Sequence, residues 1–187
     1  MTQYQRIKLL ENQARAFNEG SVEFINNQWV FFDNETEEAS LMEEFLHQEI
    51  EIFRLQRWRK GVLFEDGKIC LPNETLYLAD QDLIRIRKHI FYSLEKILED
   101  MNDDAFFQFV TTLNSLQFSI YDCLYCYNHL SFLKNERGKN GVNFLIFDNQ
   151  EHIVNVQHHF CYLENTSDRF EFTLNSGKRV VIEKMIS

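Results

Sequence analysis

Leu83-Ile84-Arg85-Ile86-Arg87-Lys88-His89-Ile90-Phe91-Tyr92-Ser93-Leu94-Glu95-Lys96-Ile97-Leu98 changes its hydrophobic period partway along. Through Ile84-Arg85-Ile86-Arg87 apolar and charged side chains alternate, the period-two pattern of a strand with two unlike faces. From Ile90 onward the apolar positions Ile90, Leu94, Ile97 and Leu98 form one stripe of a helix. This switch predicts an α+β protein in two parts. Residues 1–88 form a β-rich half, with strands from about residue 14. Residues 89–187 form three helices and an antiparallel sheet. The boundary is soft, since a chain of 187 residues suits one domain or two small ones sharing an interface.

Toward the N-terminus, short strands follow one another. Val22–Ile25 and Trp29–Phe32 flank Asn26-Asn27, residues that tolerate the left-handed conformation of a tight hairpin. Strand signals recur at Ile50–Phe53, Val62–Phe64, Lys68–Leu71, Thr75–Leu78 and Leu83–Arg87, and Glu65-Asp66-Gly67 supplies a second hairpin turn. This spacing predicts a small barrel or rolled antiparallel sheet. A short amphipathic helix is expected over residues 2–13. A surface helix around Leu41, Met42 and Phe45 is expected within the acidic stretch 33–51.

Toward the C-terminus, residues 89–134 hold neither glycine nor proline. Asn102-Asp103-Asp104 starts a second helix, with a capping side chain and acidic groups at the positive end of its dipole. That helix carries Phe106, Phe109, Val110 and Leu113. Ser119-x-x-Asp122 has the spacing of a capping box and predicts a third helix to about Leu133. Residues 134–141 read as an exposed loop. Strands at 142–147, 152–163, 169–174 and 179–184 then form a four-stranded antiparallel meander. The chain has 18 phenylalanines, and each one buried stabilises the fold by roughly 1.5–3 kcal/mol. The pairs Phe31-Phe32 and Phe106-Phe107 point adjacent rings to different faces, which predicts that both sides of those elements are covered.

Composition narrows the function. The formal net charge is −10, which opposes binding to nucleic acid or anionic membrane. No apolar run approaches the roughly 20 residues of a membrane helix, and the N-terminus lacks a signal-peptide core. A cytoplasmic protein is expected. Its four cysteines, Cys70, Cys123, Cys126 and Cys161, would then be reduced thiols.

Cys123-x-x-Cys126, with His159 and Cys161, offers enough thiolate and imidazole groups for a tetrahedral zinc site, provided that a helix bearing the first pair packs on a strand bearing the second. The plainer explanation is that the thiols are small buried hydrophobes, and no metal or cofactor is assigned. A Cys–His nucleophile would use the same residues, with Asn155, Gln157, His159 and Cys161 along one polar strand face. No phosphate loop, nucleophile elbow or His-Glu-x-x-His occurs, and no catalytic residue is assigned.

Basic residues cluster at Arg54, Arg57, Trp58, Arg59 and Lys60, and again at Arg85, Arg87 and Lys88. An arginine face with an aromatic, Arg57, Trp58, Arg59, Arg85 and Arg87, is the candidate binding site. It could hold single-stranded nucleic acid by charge and stacking, or be neutralised by the neighbouring acidic stretch. The net charge favours another protein as the partner.

Asp103-Asp104-Ala105-Phe106-Phe107, Tyr121-Asp122-Cys123-Leu124-Tyr125-Cys126-Tyr127 and Gln157-His158-His159-Phe160-Cys161 resemble a family of uncharacterised, single-chain cytosolic proteins from Gram-positive, spore-forming bacteria. The resemblance spans most of the chain and implies no activity. The expectation is a non-enzymatic interaction or regulatory protein. A nucleic-acid-binding module and a small zinc-stabilised protein are the alternatives.

Overall fold

The computed structural model describes residues 2–133, 138–163 and 166–186, with the backbone alone over 184–186. It separates into two compact units, Phe17–Lys88 and Met1–Ala16 with His89–Ser187.

The first unit is a single antiparallel sheet. Its strands are β1 (Phe17–Ile25), β2 (Gln28–Asp33), β3 (Ala39–Leu41), β4 (Glu49–Arg54), β5 (Arg57–Leu63), β6 (Lys68–Cys70), β7 (Thr75–Tyr77) and β8 (Asp82–Arg87). They lie in the order β3-β2-β1-β8-β4-β5-β6-β7. The sheet is not closed, so the barrel expectation is corrected: β3 and β7 are free edges. It does curve. Trp29 on β2 and Gly67, immediately before β6, are five strand spacings apart in that order, roughly 24 Å in a flat sheet. Yet a β-carbon built on Gly67 would stand 2.5 Å from Trp29 Nε1. The concave side collects Val22, Phe31, Ile50, Ile52, Leu63, Ile69, Ile84 and Ile86 into one core. Asn26 and Asn27 both adopt positive φ, 50° and 64°, as the β1–β2 hairpin requires. In place of the surface helix near Leu41 stand β3 and one 3-10 turn, Met42–Phe45.

The second unit contains α1 (Gln3–Glu11), α2 (Tyr92–Asp100), α3 (Asp103–Ser115), β9 (Cys123–Tyr127), β10 (Lys139–Asp148), β11 (Ile153–Tyr162), β12 (Thr166–Leu174) and β13 (Arg179–Ile186). Thr2 closes a capping box at the start of α1. Arg6 ties this helix to the next two, donating to Leu98 O, Met101 O and Asp103. Asn102 caps α3 by accepting from the amides of Asp104 and Ala105.

The meander has five strands rather than four, in the order β13-β12-β11-β10-β9. The fifth replaces the third predicted helix. The Ser119–Asp122 capping box does form, but it starts only a three-residue 3-10 turn. Cys123-Leu124-Tyr125-Cys126-Tyr127 then pairs with β10 as a strand. Aromatic residues suit a pleated surface, and the free edge of β10 overrides the local helical spacing. Residues 129–133 form another 3-10 turn. Of the expected loop 134–141, positions 134–137 lie outside the described residues, and 139–141 belong to β10.

α3 lies on the face of this sheet that carries Phe147, Phe170 and Phe172. Phe109 meets all three rings, with centroids 6.2, 5.3 and 6.1 Å away. Phe106 is buried but Phe107 is half exposed, so only one side of α3 is covered, contrary to the reading of the adjacent rings.

Candidate functional site

The arginines come first. Directly opposed residues on neighbouring strands share a face. Arg59 opposes Ile52, and Arg57 opposes Arg54, which places both arginines on the face that carries the core residues Ile50 and Ile52. Arg85 opposes Glu51 and Glu19 on the other face, and Arg87 opposes Phe17 there. Arg57, Arg59, Arg85 and Arg87 therefore do not form one face. Trp58 joins the second pair. The guanidinium of Arg85 lies 4.5 Å from the Trp58 ring and 4.2 Å from Phe17. Arg87 also stacks on Phe17, at 4.5 Å.

Several cations of this unit are held by its own acids. Arg85 pairs with Glu51 at 2.6 Å, Arg54 with Asp82 at 2.5 Å, Lys60 with Glu49 at 2.7 Å and Lys88 with Glu35 at 3.3 Å. Arg59 pairs with Glu74. Three of the five partners come from the acidic stretch 33–51. This is the neutralisation expected from the sequence, and it reduces the positive charge that a phosphate backbone could meet.

The thiols do not converge. Cys126 opposes Leu145 on β10, which opposes Val156 on β11. His159 and Cys161 lie three and five residues further along β11, roughly 10 and 17 Å at strand rise. The expected helix that would have brought Cys123 and Cys126 over His159 is β9. Among the described residues no group of three or more His, Cys, Asp or Glu side chains is arranged to hold a metal. All four cysteines are free. Cys123 sits in the core of its unit, and burial pushes its thiol up to about 12. Burial also raises the Cys126 thiol. Asn155, Gln157, His159 and Cys161 do share one strand face. His159 Nε2 stands 3.7 Å from Glu171, which also receives Arg169 at 2.6 Å and Arg179. The Arg179 hydrogen bond, followed by the charges of Arg169, Arg179 and His159, holds the Glu171 carboxyl below its usual range.

A buried polar network escaped the sequence reading. His158 Nε2 donates to Asp168 at 2.8 Å, and its Nδ1 accepts from the Asn143 amide at 3.2 Å. Asp168 also accepts from the Tyr162 hydroxyl at 2.7 Å and from Asn102 at 2.9 Å. The Tyr162 phenol is raised by burial and by the Asp168 charge. His158 and Asn143 are fully buried and Asp168 nearly so, and a group sealed from solvent cannot meet a substrate. The network joins the cap of α3 to three strands, so its work is structural.

The open concavity of the first unit is the better candidate. It is a groove of about 900 Å³ between the β1–β2 hairpin and the β5–β6 turn, within the size range of ligand clefts. Met42 and Leu63 are buried beneath it. Phe24 and Trp29, with ring centroids 5.1 Å apart, form one wall. Phe64, Glu43, Glu65, Asp66 and Asp80 also line it. The curvature that presses Trp29 against Gly67 creates this groove. Its residues come from four separate turns, so no local motif announces it.

The chain is similar to proteins without an assigned activity. An uncharacterized protein, YisN, of Bacillus subtilis (strain 168) is 28% identical over 178 residues, covering 95% of this chain and 90% of that protein. Its source is a Gram-positive spore-former, as the sequence resemblance implied. No solved structure matches. A family profile described as "Protein of unknown function (DUF2777)" matches residues 4–184, nearly the whole length, and the chain belongs to that family.

Proposed function

We propose that the protein is a non-enzymatic cytoplasmic interaction protein, and that the groove bounded by Phe24, Trp29 and Phe64 is where it meets another protein. The groove carries this reading, because it joins exposed aromatic surface to a defined concavity, the composition of an interface anchor pocket. The chemistry that would argue for catalysis is otherwise engaged. His158 and Asp168 are sealed in the second unit, and Arg54, Arg59 and Arg85 of the first are paired within their own sheet. Among the described residues no helix is long and apolar enough to cross a membrane, which is compatible with a cytoplasmic site of action.

The test is affinity capture from a bacterial lysate with the intact protein, set beside Phe24→Ser. Phe24 is half exposed, so the substitution should leave the fold intact. Loss of one or more captured proteins with Phe24→Ser is the expected result. Identical captures with both proteins would remove the groove as the contact site.

A further inference from the structure

We infer that the groove takes a cationic side chain, the guanidinium or ammonium group of an exposed basic segment on the partner protein. This inference rests on the interaction reading above and specifies its chemistry.

Three observations carry it. The lining includes Glu43, Glu65, Asp66 and Asp80 but neither lysine nor arginine. Second, the charges of this unit are unevenly spent. Five of its cations, Arg54, Arg59, Lys60, Arg85 and Lys88, each hold an acid elsewhere on the sheet, whereas Glu43, Glu65 and Asp66 have no ion pair among the described residues. The groove's carboxylates thus keep their negative charge at a concave, partly apolar site, where low-dielectric walls focus it. Third, the walls are aromatic. Phe24 is half exposed and packs on Trp29 at 5.1 Å, and Phe64 also lines the groove. A cation set against an aromatic face and beside a carboxylate gains from both, while a phosphate or an anionic lipid would be repelled.

The indole N–H of Trp29 has no hydrogen-bond partner among the described residues. It can therefore donate to a backbone carbonyl of the incoming segment, and so favours a peptide over a free polyamine. The groove's volume of about 900 Å³ exceeds what one side chain fills, which suits an extended segment rather than a single residue.

The test uses the full chain and a fluorescent, unstructured probe peptide with lysine and arginine spaced by glycine and serine. A matched probe carries glutamate at the basic positions. Fluorescence anisotropy is read at low and at moderate salt. The expected result is saturable 1:1 binding of the basic probe, none of the acidic probe, and at least a tenfold loss of affinity in the double variant Glu65→Gln/Asp66→Asn. Glu37→Gln/Glu38→Gln, also exposed but outside the groove, should change affinity less than twofold. Backbone amide shifts should move at 24–29, 42–46, 63–67 and 79–80, which guards against a variant that misfolds. Absence of saturable binding overturns the inference. So do equal losses in both double variants, which would show attraction to the net charge alone, or amide shifts confined to other residues. If the basic probe fails while Phe24→Ser still loses captured proteins, the cationic assignment falls and the interaction reading stands. If both experiments fail, both fall.

Discussion

His158 on β11 and Asp168 on β12 share a 2.8 Å hydrogen bond with both side chains closed to solvent. The carboxylate can only accept, so the imidazole carries its hydrogen on Nε2 and presents Nδ1 to the Asn143 amide. Every strong polar atom of the pair then has a partner. Replacing Asp168 by alanine strands three donors, from His158, Tyr162 and Asn102, and is expected to cost roughly 3–5 kcal/mol. His158→Phe keeps the stack on Phe170, now at 4.5 Å, and loses only the hydrogen bonds. Its expected cost is roughly 1–3 kcal/mol. Urea unfolding of both variants measures the difference, and equal losses would show that packing rather than hydrogen bonding dominates.

The Cys123 thiol gives a pH dependence with a definite sign. Its folded-state value is pushed up to about 12 from 9.0 by burial. Between those values the unfolded thiol has lost its proton and the folded one keeps it. Stability is therefore complete below about pH 9 and falls above it, by about 1.4 kcal/mol per pH unit for this one group. Cys123→Ala should flatten the decline above pH 9 while lowering stability at pH 7. Unfolding free energies measured from pH 7 to 10.5 would show this. Native-state alkylation at pH 8 should also reach Cys70 and Cys161 before Cys123.

Leu55 and Gln56 turn the chain between β4 and β5 with φ of 54° and 59°. Leucine and glutamine are poor choices there, since the left-handed region costs a residue with a β-carbon roughly 1–2 kcal/mol. Leu55→Asn with Gln56→Gly supplies the residues that such a two-residue turn favours. The double variant is expected to raise stability by roughly 1–2 kcal/mol, read as a higher midpoint of thermal unfolding. A lower midpoint would mean that the 81% exposed Leu55 side chain makes a contact that its exposure hides.

Gly67→Ala probes the curvature of the first sheet. The position has φ of +69°, and the new methyl group would meet the Trp29 ring. Strain and displacement act together, so the variant should lose at least about 1–2 kcal/mol and shift its tryptophan emission. Trp58→Phe removes the second tryptophan and isolates the signal. An unchanged spectrum in that background would show that Trp29 does not lean on the turn.

Much of this architecture was legible because local and global preferences agree. Asn26-Asn27 met the dihedral demand of its hairpin, Asn102 capped its helix, and the alternation in Phe170-Glu171-Phe172-Thr173-Leu174 matched a strand with one covered face. The reading failed where a distant partner decided. Cys123–Tyr127 has helical spacing after a good capping box, but an open strand edge captured it. The β4–β5 turn was missed because Leu55-Gln56 carries no turn chemistry. Arg57 and Arg59 separated from Arg85 and Arg87 because register, which no single strand encodes, fixes which way each faces. The groove was invisible for a related reason. Its walls meet only when a sheet of eight strands curves, and that curvature belongs to the whole sheet.

The pairing of Phe17 with Arg87 across β1 and β8 gives the first unit a single doorway. Its entry and exit strands are neighbours, roughly 5 Å apart, while the chain on either side belongs to the other unit. Residues 17–88 are thus an insert hung on one short gap between α1 and the segment leading to α2. During synthesis the insert is complete before any strand of the five-stranded sheet has been made, whereas α1 must wait for its partners at Leu98, Met101 and Asp103. Joining Ala16 to His89 through about two glycines closes a gap of this width, so the host unit and the excised sheet are each open to separate production, with the groove residing wholly in the piece removed.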